Sequence, residues 1–195
     1  MKDRAVSGAR EISVAFLRGV NVGGHRRLRM ADLVQWLGAA GLSRVQTYIQ
    51  SGNVVVEHAA TLDVAPRIHE VIAEMTGWDV PVVVRGADEL RAVVAANPFP
   101  DAAPTHLHVA FLPSAPEGAP DDLVKHAPWR PEEFRVIGRD VYLFVPPGIG
   151  HSVMVPRLSL LRAATTRNWN TVLAVVELAR DASRRGAAMD EGGGD

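Results

Sequence analysis

Three short stretches of this chain concentrate side chains that carry charge or hydrogen-bond without titrating near neutrality. The first, Leu17-Arg18-Gly19-Val20-Asn21-Val22-Gly23-Gly24, follows an apolar run and leads into His25, Arg26, Arg27 and Arg29. The second is Thr47-Tyr48-Ile49-Gln50-Ser51-Gly52-Asn53-Val54-Val55. The third is Ala164-Thr165-Thr166-Arg167-Asn168-Trp169-Asn170-Thr171-Val172. Together they offer Arg18, Asn21, Gly23, Gln50, Ser51, Asn53, Thr166, Arg167, Asn168 and Asn170 as candidate ligand-binding residues. A guanidinium is a permanent planar charge suited to phosphate or carboxylate, and Asn and Gln present the paired donor and acceptor of an amide or base edge. Glycines let the backbone turn closely, and free amides near a helix start attract anions. The set would orient a polar or anionic ligand. It contains no Asp or Glu to act as a general base, and His25 stands outside it.

Other chemistries find less support. The spacing Gly19-Val20-Asn21-Val22-Gly23-Gly24 fits neither the dinucleotide nor the Walker pattern, and Ser51 is not in a Gly-x-Ser-x-Gly elbow. His106 and His108 would share one strand face, but no carboxylate pattern completes a metal site, so a half-exposed strand is the simpler reading. No metal, no cofactor and no catalytic residue is assigned. Each motif also has a plainer structural reading. Gln50 to Asn53 would close a hairpin, Thr165 or Thr166 would cap a helix starting near Asn168, and Trp169 would join Val172, Leu173 and Val176 in a core.

The elements that must carry these residues are legible from periodicity. Ile12–Leu17 reads as a strand and Met30–Ala40 as a helix stopped by Gly41; Val45–Ile49 and Asn53–Glu57 flank the hairpin turn. A helix starting at Asp63, with Pro66 in its first turn, would turn Val64, Ile68, Val71, Ile72 and Met75 inward and end at Gly77. Val80–Val84 reads as a central strand buried on both faces. This β-α-β-β-α-β order is the ferredoxin-like, split βαβ arrangement of an α+β fold. A helix over Ala87–Ala96 stops before Asn97-Pro98.

The second half partly repeats the order. It has a strand over His106–Leu112, a helix from Asp121 to His126, and a hairpin of Glu133–Ile137 and Val141–Val145. Helices follow over Val153–Leu161 and Asn168–Arg180, with no clear final strand. The repeat is one of element order rather than sequence identity. The expected organisation is a ferredoxin-like unit over residues 10–97 and an incomplete α+β unit over 105–182, with residues 1–9 and 186–195 disordered.

Composition sets the class. The chain has 195 residues, 47% hydrophobic and 22% charged, and no cysteine, so thiolate metal sites and disulfides are excluded and a cytoplasmic location is expected. No apolar run is long enough to cross a bilayer. The net charge of −1 argues against a globally basic nucleic-acid binder. Yet residues 12–56 hold five arginines and a single acid, Asp32, and residues 141–176 hold three arginines and no acid. That segregation would build a positive patch if the two segments meet.

The three motifs, in this order, resemble the bacterial proteins grouped as domain-of-unknown-function family 1697, over about Ser13 to Leu178. The resemblance implies an α+β fold with ferredoxin-like units and carries no assigned reaction. The chain departs from the family pattern after Gly148-Ile149-Gly150. His151-Ser152-Val153-Met154 stands there in place of a basic residue, serine and lysine. The leading expectation is a module binding a phosphate-bearing or nucleotide-like ligand, either a small molecule or nucleic acid. An enzyme of phosphoryl or acyl transfer type and a structural or protein-interaction module are the alternatives.

Overall fold

Strand β1 (Arg10–Leu17) alternates between two apolar surfaces, and that alternation seeds the first sheet. Ala15 and Leu17 face one side with Val54 and Val56 of β3 (Asn53–Ala59), while Val14 and Phe16 face the other. All six are at most 1% exposed. The structure, a computed structural model, describes residues 9–23, 27–117 and 129–191, with side chains to residue 186. Strands β2 (Ser43–Tyr48) and β4 (Val82–Gly86) complete the sheet in the order β2-β3-β1-β4, every neighbouring pair antiparallel.

Helices α1 (Met30–Ala39) and α2 (Val64–Thr76) cover the Ala15 face. Met30, Leu33 and Leu37 come from the first, and Val64, Ile68, Val71 and Ile72 from the second. Their spacing of three and four residues puts each set on one stripe. Met75, expected inward, is 52% exposed. Strand β4 lies at the sheet edge rather than at its centre. The valine run there reports that Val80 and Val83 are buried, which says nothing about how many strands flank it.

The second sheet contains β5 (Leu107–Phe111), β6 (Glu133–Ile137), β7 (Asp140–Phe144) and β8 (Thr165–Asn168), in the order β6-β7-β5-β8, again wholly antiparallel. It repeats the first in more than order. The quartet Val14-Ala15-Phe16-Leu17 recurs as Val109-Ala110-Phe111-Leu112. Phe16 faces Asn53 and Val83, and Phe111 faces Asp140 and Thr165, so the registers coincide. In that register Arg85 and Arg167 are equivalent, and each Nη1 donates to the preceding carbonyl, Val84 O or Thr166 O, at 2.9 Å.

Strand β8 corrects the expectation of a missing final strand. Its four polar residues show no apolar alternation, so periodicity alone is blind to it. Three short 3₁₀ turns, Ile149–His151, Val155–Arg157 and Ser159–Ala163, replace the helix expected over Val153–Leu161. Pro156 removes a helical donor, and the buried Glu132 carboxylate takes the Val153 and Met154 N–H groups at 3.0 and 3.3 Å and the Ser152 hydroxyl. The helix expected at Asp121–His126 lies outside the described residues.

Helix α3 (Ala87–Ala95) follows β4 directly, as α4 (Trp169–Glu191) follows β8, giving four helices among the described residues. Helix α4 runs well beyond the expected end at Arg180. The chain divides into one unit of Met1–Ala87 with Leu178–Asp195 and another of Asp88–Glu177, which differ from the linear spans 10–97 and 105–182. The bonds explain where α3 belongs. Tyr142 Oη donates to Val93 O at 2.7 Å, and Arg139 pairs with Glu89 at 2.5 Å, tying α3 to β7 and its hairpin.

Candidate functional site

In the first unit, the first two motifs interlock. Gly52 closes the β2–β3 hairpin with φ +75°, and its carbonyl accepts the Leu17 N–H at 2.8 Å. A Cβ on Gly52 would lie 2.6 Å from Val20 Cγ2 and 2.8 Å from Leu17 Cβ, so only a bare backbone lets the loop after β1 rest on the hairpin. Asn21 fastens that loop. Its Nδ2 donates to Leu28 O at 2.9 Å and to Gln50 O at 2.6 Å, and its Oδ1 accepts the Leu28 N–H at 2.8 Å. Asn53, fully buried, donates from Nδ2 to Tyr48 O and Ser51 Oγ, both at 3.0 Å.

Other residues of the same motifs lie at the surface. Arg18, Gly23 and Gln50 are exposed, as are Arg27 and Arg29. The Arg18 backbone is pinned by its N–H to Pro81 O at 3.0 Å, while its guanidinium has no hydrogen bond or ion pair among the described residues. Val22 and Ile49, each next to a residue of the Asn21–Gln50 bond, are 64% and 53% exposed. The positive segment read from the sequence is partly spent. Arg44 lies 2.6 Å from Glu57, which Arg10 also engages, and Arg29 sits 3.9 Å from Asp32. Gly24, His25 and Arg26 lie outside the described residues.

In the second unit, β8 pairs with β5 so that Asn168 faces His108 and Arg167 faces Val109. The cap of α4 is Asn168, whose Oδ1 accepts the Thr171 N–H at 2.9 Å, rather than Thr165 or Thr166. Those two threonines belong to the strand. Burial lowers the Arg167 pKa to about 10, which still leaves it charged at neutrality. Asn170 is exposed in the first turn of α4, and Trp169 is 7% exposed and part of the core. Cavities of about 300 and 280 Å³ in this unit are lined by residues that include Phe99 and Phe144, and Val93 and Tyr142. No candidate residue lines either one. Among the described residues, no group of three or more His, Cys, Asp or Glu could hold a metal ion.

His108 is 8% exposed, its Nδ1 has no hydrogen-bond partner among the described residues, and burial lowers its pKa below 6.5, with the His106 backbone opposing that in part. A histidine with a depressed folded pKa binds fewer protons folded than unfolded, so it favours folding more at neutral pH than in acid. Stability is therefore expected to fall as pH drops below 6.5 toward the folded pKa. His108→Gln should flatten that part of a melting-temperature profile; an unchanged slope would contradict the assignment.

Sequence reasoning missed a second histidine. His58 Nδ1 lies 2.9 Å from Ala59 O, a group that only accepts, so the proton sits on Nδ1 and Nε2 accepts from Ser13 Oγ at 2.9 Å. The pair has the form of a nucleophile and base, but Ser13 and His58 are 5% and 4% exposed and lie sealed in the unit. Ser13 and His58 belong to different strands, 45 residues apart, and only the β1–β3 register joins them.

Among curated proteins, none matches the chain. It is similar to a solved structure described as that of the conserved bacterial protein SP0830 from Streptococcus pneumoniae, at 19% identity with a TM-score of 0.69. The likeness covers 88% of this chain and 99% of that one, and it is one of fold. The two interlocked motifs fall inside the stretch matched by a family model and the Ala164–Val172 motif falls outside it. That family is described as "Protein of unknown function (DUF1697)"; its model matches residues 11–142, more than half of the chain, and the chain belongs to it.

Proposed function

We propose that the first unit binds a phosphate-bearing or nucleotide-like anion at the loop after β1, with Arg18 as the principal contact and Gly23 and Gln50 beside it. Asn21, Ser51 and Asn53 are positioning residues that hold the loop in shape. In the second unit, Thr166, Arg167, Asn168 and Asn170 form a second polar cluster at the start of α4, in which Asn170 offers the exposed amide. The observation that carries the reading is Arg18: an exposed guanidinium, uncommitted among the described residues, on a backbone fixed by hydrogen bonds on both sides. A structural role accounts for Asn21, Gly52 and Asn53 but leaves Arg18 and Gln50 unexplained. An enzymatic role would need a base near Ser51, and the Asn53 amide at 3.0 Å does not titrate.

The strand order β2-β3-β1-β4 with antiparallel neighbours supports a ferredoxin-like reading of the first unit. No helix among the described residues is long and apolar enough to cross a membrane, and the absence of cysteine fits a reducing compartment such as the cytoplasm.

Calorimetric titration with inorganic pyrophosphate and with adenosine monophosphate tests the proposal. The wild-type protein should bind at least one of them, and Arg18→Ala should weaken binding about tenfold or more without moving the melting temperature, because a charged hydrogen bond is lost and nothing internal changes. No binding by the wild type, or equal binding by the variant, would refute it.

A further inference from the structure

Ile49 is the least comfortable residue of the loop region. Its φ is +48°, a conformation that a β-branched side chain rarely adopts, and its side chain is 53% exposed, so much of it lies outside any core. A strained residue with a largely exposed side chain points to a contact with something outside the chain. Its surroundings indicate what that is. Gln50 follows it in sequence and presents an exposed amide, and the Asn21–Gln50 bond of 2.6 Å brings up Val22, which is 64% exposed. Exposed Arg18 and Arg27 lie along the same segment between β1 and α1, with exposed Arg29, which also sits 3.9 Å from Asp32, at its end.

From this juxtaposition we infer that the anion bound at the loop is a single-stranded nucleic acid. The arginines would take its phosphates, Ile49 and Val22 the faces of unpaired bases, and Gln50 a base edge. The inference rests on the anion-binding reading above and narrows its ligand. Separate charges strung along a loop suit a polymer that carries a charge at each step. Exposed aliphatic contact and an amide pair suit bases whose faces and edges are free, as they are only in a single strand. A membrane surface would use the arginines and the aliphatic pair but has no use for the Gln50 amide.

The test is fluorescence anisotropy with a labelled 16-nucleotide single-stranded RNA, its duplex, and vesicles of phosphatidylcholine with 30% phosphatidylserine, alongside pyrophosphate titration. The single strand should bind about tenfold or more tighter than the duplex, with affinity falling steeply as salt rises. Ile49→Gly relieves the backbone, so it should raise the melting temperature by about 2–4 °C. It should also weaken RNA binding about fivefold or more and leave pyrophosphate binding unchanged. Equal RNA affinity for Ile49→Gly, equal affinity for the duplex, or binding to vesicles without binding to RNA would overturn the inference. Pyrophosphate binding without RNA binding would overturn it too while sparing the anion-binding reading, and binding of neither would end both.

Discussion

Gly52→Ala is expected to destabilise the protein by about 3 kcal/mol, combining the strain of a non-glycine residue at positive φ with overpacking against fixed neighbours. The two clashes are of different kinds. Val20 Cγ2, at 2.6 Å from the added carbon, could swing away by changing rotamer. Leu17 Cβ, at 2.8 Å, moves only with the backbone of β1, and that backbone is held by the Leu17 N–H bond to Gly52 itself. The variant therefore has to part the loop from the hairpin or shift the sheet. Gly23→Ala is the matched control. Its φ of +60° is similar, but among the described residues nothing lies within 4 Å of its added carbon, so it should cost only about 1 kcal/mol. Chemical denaturation of both variants checks this, and equal losses would mean that the close approach at Gly52 contributes nothing.

Asn21→Ala should cost about 3 kcal/mol and weaken anion binding as well. The side chain makes three bonds to backbone groups, at 2.6 to 2.9 Å, and its loss leaves two carbonyls and an N–H to find water or go without. Alanine at φ +56° adds strain that asparagine tolerates better. Asn21→Gly separates the two terms, since glycine accepts the backbone but restores no hydrogen bond. It should recover about 1 kcal/mol of stability and little of the binding. Full recovery of binding by glycine would show that the loop does not depend on those bonds for its shape.

The legible parts of the fold were those with strong periodicity. Helices α1 and α2 announce themselves through Leu33 and Leu37, and through Ile68, Val71 and Ile72, which return to one face every third or fourth residue. The hairpin at Gln50 to Asn53 was equally clear, because two β-rich runs bracket a polar turn. Strand β8 was not, since Thr165 to Asn168 carry no apolar alternation and join the sheet through backbone bonds. The 3₁₀ turns between β7 and β8 were hidden for a related reason: the amides of Val153 and Met154, which separate the first two turns, are taken by Glu132, a residue some twenty positions earlier that no local pattern connects to them.

The candidate residues divide in the same way. Their types suggested hydrogen bonding to an anion, but types alone do not separate a side chain that meets a ligand from one that meets its own backbone. Asn21 and Asn168 turn out to bond the chain itself, one fastening a loop and the other capping α4, while Arg18 and Gln50 face solvent. Gly52 looked like one more turn glycine, and the 2.8 Å approach to Leu17 is what makes it a packing requirement. The repeated Val-Ala-Phe-Leu quartet was present in the sequence all along, but it means little until the matching registers make the two copies equivalent.

The most direct measurement is a titration of the isotope-labelled protein with inorganic pyrophosphate, followed by the backbone amide resonances. Arg18, Gly23 and Gln50 should shift together and saturate with one dissociation constant, and the Arg18→Ala variant should lose those shifts while keeping a native spectrum. Resonances around Arg18 that stay still at saturating pyrophosphate would leave the loop a piece of scaffold rather than a place where anions bind.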